Sequence, residues 1–224
     1  MAQDFNSLPT IGGDLDSWYS SIANNINTPV LKGVYFYIQE DQMITPDQNP
    51  FYEEVWDYNG SMTYEGRLYQ NMNLTYNVSS DQLLVWSSEM SKNGLKSLLI
   101  NQSKIDSFTI HDHKFLNYRH AKIGDQGFYR KMMHGKHIIC YSKVTKTGSL
   151  QGFDYEYEEQ RKYWIKYKNS LTNYKRISSL YKIFPDFKKQ IRNFLKENHF
   201  IFKDDKENRL QLILSYCDSL VKEE

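Results

Sequence analysis

Trp56–Trp86 reads WDYNGSMTYEGRLYQNMNLTYNVSSDQLLVW. Tyr64, Leu68, Tyr69, Met72, Leu74, Tyr76, Val78, Leu83 and Val85 place apolar and aromatic side chains largely in alternation. Asn59-Gly60, Glu65-Gly66 and Ser79-Ser80-Asp81 cut the run. Period-2 segments broken by Gly and Asx residues, which tolerate unusual backbone angles, predict an antiparallel β-meander.

Outward from this run the same grammar continues. Gly33 to Ile38 reads as a strand. Downstream, Leu95–Ile100, Ser107–Ile110 and His113–Tyr118 read as further strands, with a turn at Ser91–Gly94. Gly127–Met133 and Lys136–Lys143 predict a hairpin around His134-Gly135. Gly148–Gly152 reads as a loop. Arg161–Tyr167 and Asn173–Ile177 predict a last hairpin through Asn169-Ser170.

The ends of the chain have a different period. Leu15, Trp18, Tyr19, Ile22 and Ile26 predict a short amphipathic helix at 14–26, with Asp14 as its cap. Ser178 and Ser179 open a short helix that Pro185 ends. Asp186 opens a second, with Phe187, Ile191, Phe194 and Leu195 on one face. Asp204-Asp205 opens a third, with Leu210, Ile213, Leu214, Cys217, Leu220 and Val221 on one stripe. The order predicts an α+β fold: a β-meander forming a curved sheet or partial barrel, a short N-terminal helix, and two to three C-terminal helices. We expect a single domain over 1–224, with an acidic segment 1–50, a β-rich body 51–177 and a helical tail 178–224.

Composition supports a sheet. The 224 residues include 18 Tyr, 12 Phe and 4 Trp. Such side chains suit a pleated, half-buried surface. Charge is divided unevenly. Residues 1–60 hold one basic and nine acidic residues, net −8, and the remainder is net +9. The expected use is internal, an acidic N-terminal region lying over a basic body. No stretch approaches the ~20 apolar residues of a membrane-spanning helix. The start Met1-Ala2-Gln3-Asp4 lacks a charged n-region and an apolar stretch. It reads as a mature chain with an added initiator Met and its export signal removed.

Candidate chemistry is sparse. His111 and His113 would share one face of a strand, and His134 and His137 flank a predicted turn. These four are the candidate metal ligands, with His120, Asp112 and Asp125 nearby. No Cys/His spacing of a closed metal site accompanies them. Cys140 and Cys217 match no metal or redox spacing and read as small buried hydrophobes, with a disulfide left open. Cys140 and His137 fall on opposite faces of a strand, so no Cys–His pair is expected. No G-x-S-x-G nucleophile elbow, phosphate loop or dinucleotide fingerprint occurs.

Two acidic groups stand out, Glu53-Glu54-Asp57 and Asp154-Glu156-Glu158. The second alternates with Phe153, Tyr155 and Tyr157, as a solvated edge strand does. The stretch RKYWIKYKNSLTNYKR, 161–176, interleaves cations and aromatics. It reads as a two-faced hairpin: Lys162, Trp164 and Lys166 on one side, Tyr163, Ile165 and Tyr167 on the other. Asn73, Asn77 and Asn101 lie in N-glycosylation patterns that matter only in a eukaryotic secretory setting. No catalytic residue or cofactor is assigned, and nucleic acid is not an expected partner.

Two stretches carry a resemblance. One is the meander, through Gly60, Tyr64, Gly66, Tyr69, Leu74, Tyr76, Asp81, Gln82 and Leu83. The other is SSLYKIFPDFKKQIRNFLKENHFIFK and the helix ending in SYCDSL, within Ser178–Leu220. Together they resemble a group of exported proteins from Bacteroidetes that pair a β-rich body with a lysine-rich helical tail. Asn77 stands where that group tends to have Asp, and Cys217 where an aromatic is common. The resemblance implies the periplasm, the outer membrane or secretion, and it implies no functional residue. The leading expectation is a non-catalytic accessory protein that binds another protein or a glycan through the aromatic faces of its sheet. A carrier of lipid or another hydrophobic ligand is the second reading. A metal-assisted hydrolase using the histidine groups is the third.

Overall fold

A computed structural model of the chain describes residues 34–37, 48–53, 58–86, 96–118, 126–151, 154–198 and 206–221. The expected N-terminal helix lies outside them, as does the turn at 91–94. The described residues form one antiparallel sheet of eleven strands followed by three helices.

The strands are β1 Val34–Tyr37, β2 Tyr58–Tyr64, β3 Arg67–Asn77, β4 Gln82–Trp86, β5 Lys96–Leu99, β6 Ile105–Ile110, β7 His113–Asn117, β8 Phe128–His134, β9 Ile138–Gln151, β10 Asp154–Tyr167 and β11 Ser170–Tyr174. The helices are α1 Ile177–Ile183, α2 Lys188–Glu197 and α3 Lys206–Leu220. The spatial order is β1-β5-β4-β3-β2-β6-β7-β8-β9-β10-β11. Two meanders therefore meet where β2 pairs with β6, and the sheet stays open, with β1 and β11 at its ends.

Local chemistry sets the hairpins. Glu65 and Gly66 both have positive φ, the two-residue geometry that matches the twist of flanking strands. His111 and Lys168 do the same at the first position of the β6–β7 and β10–β11 turns. Asn77 Oδ1 accepts from the backbone N–H of Ser79 and Ser80, both at 3.1 Å, holding the β3–β4 turn. An Asx acceptor is what that corner needs, so Asn serves as Asp would.

The sheet is strongly curled. β3 and β8 stand four ladder steps apart, which in a flat sheet is roughly 19 Å at ~4.8 Å per step. Yet the rings of Tyr76 on β3 and Phe128 on β8 are 5.8 Å apart. Phe108 and Phe115 stack between them at 4.7 Å. Edge-to-face and offset ring pairs of this kind add about 0.5–1.5 kcal/mol each beyond the area they bury. Asp81 locks the curl. Its Oδ1 accepts from the Tyr76 hydroxyl at 2.7 Å and from the Phe128 N–H at 3.2 Å, and Lys143 Nζ lies 3.7 Å from Oδ2.

The segment 48–53 bridges two sides of the curled sheet. It bonds β3 through Tyr52 N–H to Tyr76 O and Val78 N–H to Pro50 O. From the other side Lys146 Nζ donates to Phe51 O at 2.6 Å, and Tyr157 N–H donates to Gln48 Oε1 at 2.7 Å. A second apolar cluster joins Ile138, Cys140, Tyr163 and Ile165 of β9–β10 to Leu180, Phe184, Ile191 and the buried stripe of α3.

Three boundaries differ from expectation. The loop expected at Gly148–Gly152 gives way to a strand: β9 runs on to Gln151, with the Tyr157 ring lying over Gly148. β11 begins at Ser170, directly after the turn, three residues earlier than read. The first tail helix starts at Ile177, with Ser179 inside it, its hydroxyl accepting from the Lys175 and Arg176 N–H groups at 3.4 and 3.5 Å.

Gly127 makes the curl possible. Its φ is +125°, and a Cβ there would overlap the Asp81 carboxylate. Gly127→Ala is expected to cost about 3 kcal/mol or more, combining backbone strain with displacement of Asp81. Gly66→Ala, also at positive φ but with open space around it, is expected to cost about 1–2 kcal/mol. Urea unfolding of both variants checks the ranking, and equal costs would contradict the role given to Asp81.

Candidate binding site

Helix α3 is pinned to the sheet at both ends. Between the pins Leu210, Ile213, Leu214 and Cys217 are buried, the spacing of an apolar helical stripe. At the far end Asp218 accepts from the backbone N–H groups of Lys136, His137 and Ile138, each at 2.8 Å, so it caps the β8–β9 turn. At the near end Glu207, in the first turn, enters the sheet. Glu207 Oε2 bonds the Arg130 guanidinium of β8, and Oε1 lies 2.9 Å from Arg161 of β10. The Tyr163 hydroxyl donates to Oε1 at 3.4 Å. Arg161 also bonds Glu159 at 2.5 Å.

Arg130 carries this network inward. It donates to the Tyr52 hydroxyl at 3.0 Å, which leaves the phenol's single hydrogen for His113 Nδ1 at 2.9 Å. Glu53 lies beyond, 3.2 Å from His113 Nδ1 and 3.0 Å from His111 Nδ1. Burial, reinforced by the Arg130 charge, pushes the His113 pKa below the usual imidazole value, while Glu53 works in the other direction. A neutral ring accepting from Tyr52 agrees with that direction. Burial and then the Glu207 charge push the Tyr163 phenol up to about 12.

Beside Glu207 the surface opens into a groove of about 570 Å³. It lies where β11 stops at Tyr174 and the edge of β10 comes free of it. Arg161, Lys162, Lys175 and Lys206 line it, with Tyr163, Trp164, Asn173 and Tyr174, and among the described residues no carboxylate does. Lys206 Nζ sits 5.3 Å above the Tyr163 ring, a cation–π contact that holds the ammonium at the rim. The three aromatic side chains are each no more than 8% exposed. They form a floor, and the cations form the accessible surface. The volume falls within the ~300–1,000 Å³ range of ligand sites.

His111 and His113 meet one carboxylate, Glu53, while His134 and His137 have other partners. His111 sits in the β6–β7 turn at φ 50°, so it does not share a strand face with His113 as expected. Glu53 meets both. His134 Nδ1 lies 2.9 Å from Lys131 Nζ, and His137 is held through its backbone by Asp218. Among the described residues no group of three or more His, Cys, Asp or Glu is arranged to hold a metal. His120 and Asp125 lie outside the described residues.

Cys140 and Cys217 are free and buried, with burial pushing both thiols up to about 12. Such thiols are poor nucleophiles. Glu156 and Glu158 are exposed on β10, where no strand pairs on the side away from β9 among the described residues. The two faces expected for 161–167 are as read: Tyr163 and Ile165 join the tail cluster, and Trp164 joins Tyr129 and Tyr141 on the opposite face.

The sequence reading missed Glu207, Arg130, Lys206 and Asp218. Its one available signal was an acidic residue in the first turn of a helix, which explains itself by the macrodipole. Comparisons with protein-family models, with curated proteins and with solved structures return no match to this chain.

The lowered His113 pKa gives stability a pH dependence. Below the ~6.5 of a free imidazole the unfolded chain binds a proton that the folded chain declines, so stability falls as pH drops through and below that value. Urea midpoints at pH 7.5 and 5.5 are expected to fall further for the native chain than for His113→Gln. An equal fall in both would remove His113 from this account.

Proposed function

We propose that this chain is a non-catalytic accessory protein that binds another protein or a glycan, with the groove between β10, β11 and the start of α3 as its contact surface. The observation that carries the reading is that Arg161, Lys162, Lys175 and Lys206 line one open groove whose lining, among the described residues, includes no carboxylate. Both thiols are buried, His137 is anchored by its backbone, and Glu207 is held by two guanidiniums.

The aromatic residues enter this reading differently from the sequence expectation. Tyr52, Tyr64, Tyr69, Tyr76, Tyr129, Tyr141, Tyr163, Trp164 and Tyr174 are all buried. They build the core, and contact falls to the charged rim. The carrier reading has less support, because the inner face of the curled sheet is filled by its own rings, Tyr52, Tyr76, Phe108, Phe115 and Phe128.

The setting we propose is the cell envelope, following the resemblance of the meander and the lysine-rich tail. Among the described residues no helix is long and apolar enough to cross a membrane.

Crosslinked envelopes of the native organism, probed with tagged full-length protein, test the reading. A single stoichiometric partner is expected, and Lys175→Glu/Lys206→Glu, with an unchanged circular dichroism spectrum, is expected to lose it. Capture by the double variant at the native level, or no capture by the native chain, would contradict it.

A further inference from the structure

We infer that the outer face of α1 and α2 is a docking surface for an anionic lipid membrane, engaged by Lys182, Lys188, Lys189 and Arg192. This surface is separate from the groove and does not depend on the binding-protein reading.

Helical period groups the charges. At about 100° per residue, Lys188, Lys189, Arg192 and Lys196 fall within a sector of about 100° on α2. All four are exposed, as is Lys182 on α1. The acidic residues of this stretch are Asp186 and Glu197, both exposed. Asp186 lies in the single turn Pro185–Phe187 that joins the helices, and Glu197 falls outside the cationic sector. They dilute the positive face without splitting it. A basic face on an amphipathic helix is the pattern that meets a membrane surface.

The cations are ordered where the two helices meet. Lys188 Nζ lies 5.9 Å and the Arg192 guanidinium carbon 6.0 Å from the centre of the Tyr181 ring on α1. A cation–π contact places a cation without neutralising it. Lys182 follows Tyr181 directly in the chain and adds its charge beside them.

The apolar side of α2 decides the mode of contact. Ile191 is fully buried, Phe194 stacks on Tyr216 of α3 at 4.2 Å, and Leu195 packs against the same cluster. A helix that inserts into a bilayer interface needs that side for the acyl boundary. Here it is committed to the core, so charge alone supplies the contact. A plane of anionic headgroups suits such a convex face, because it requires no cavity and its potential acts on every cation within a Debye length. A nucleic-acid strand relies instead on open ring faces, and the ring on this surface, Tyr181, already carries two cations. Docking is therefore peripheral and reversed by salt.

The test is co-sedimentation of the full chain with vesicles of phosphatidylcholine alone, or of phosphatidylcholine with an equal share of phosphatidylglycerol. At about 50 mM salt the chain is expected to sediment with the anionic vesicles and to stay in solution with the neutral ones, and about 500 mM salt is expected to release it. Lys189→Glu/Arg192→Glu, with an unchanged circular dichroism spectrum, is expected to weaken partitioning by about tenfold or more. Lys189→Gln/Arg192→Gln is expected to fall between that variant and the native chain. Arg67→Glu/Lys114→Glu makes the same change in net charge at exposed positions on β3 and β7 and is expected to bind as the native chain does.

Equal sedimentation with both vesicles, retention at high salt, or equal weakening by the α2 and β3/β7 charge reversals overturns the docking surface. So does a chain that ignores anionic vesicles while binding a labelled single-stranded DNA. A chain that captures a stoichiometric protein partner but no vesicles contradicts this inference and leaves the groove reading standing. Salt-reversible vesicle binding without any captured partner supports it and contradicts the groove reading alone.

Discussion

The contact on which the rest of this structure depends is the carboxylate of Glu207 between the guanidiniums of Arg130 and Arg161. The Arg130 and Glu207 side chains are only 8% and 15% exposed. Removing charges from water costs several kcal/mol per ion, so the arrangement is stable only while its members hold one another. Arg130 Nε is buried with no hydrogen-bond partner among the described residues, which leaves little slack in that account. Through Arg130 the same carboxylate reaches Tyr52, and with it the segment that bridges two sides of the curled sheet. Through the first turn of α3 it ties that helix to β8 and β10.

That placement explains the groove. Two guanidiniums share one carboxylate, and Glu159 takes part of the remaining charge on Arg161. Among the described residues, Lys162, Lys175 and Lys206 line the groove and no carboxylate does. Asp218 fixes the other end of α3 eleven residues further on, about 16 Å along the axis at ~1.5 Å per residue. With both ends held, the basic end cannot slide along the sheet, and the apolar stripe between them supplies adhesion without setting register.

The architecture was largely readable in the sequence, because alternation and helical spacing are local patterns with a local cause. The meander, the tail helices and the two faces of 161–167 follow from such patterns. Errors fell where tertiary contact overrides local signals. Gly148 looks like a turn residue, yet the Tyr157 ring packs over it and the strand continues. His111 and His113 look like neighbours on one strand face, yet the tight hairpin turns at His111.

The site was much less legible. Arg130 and Glu207 are 77 residues apart in the chain. Nothing in their immediate surroundings distinguishes a buried partner from a solvated charge. The abundance of tyrosine was legible as sheet, while its burial depended on a curl that no local pattern encodes. Lys162 and Lys175 sit in a stretch whose cations were visible, but Lys206 joins them only through the pinning of α3.

The measurement that tests this account most directly is a double-mutant cycle on Arg130 and Glu207, read by urea unfolding. Glu207→Gln and Arg130→Met are each expected to cost about 3–5 kcal/mol, since each strands a buried partner. The double variant is expected to cost at least about 2 kcal/mol less than the two added together. Single costs below about 0.5 kcal/mol that simply add would mean the pair is an incidental surface contact, and the central claim would fall.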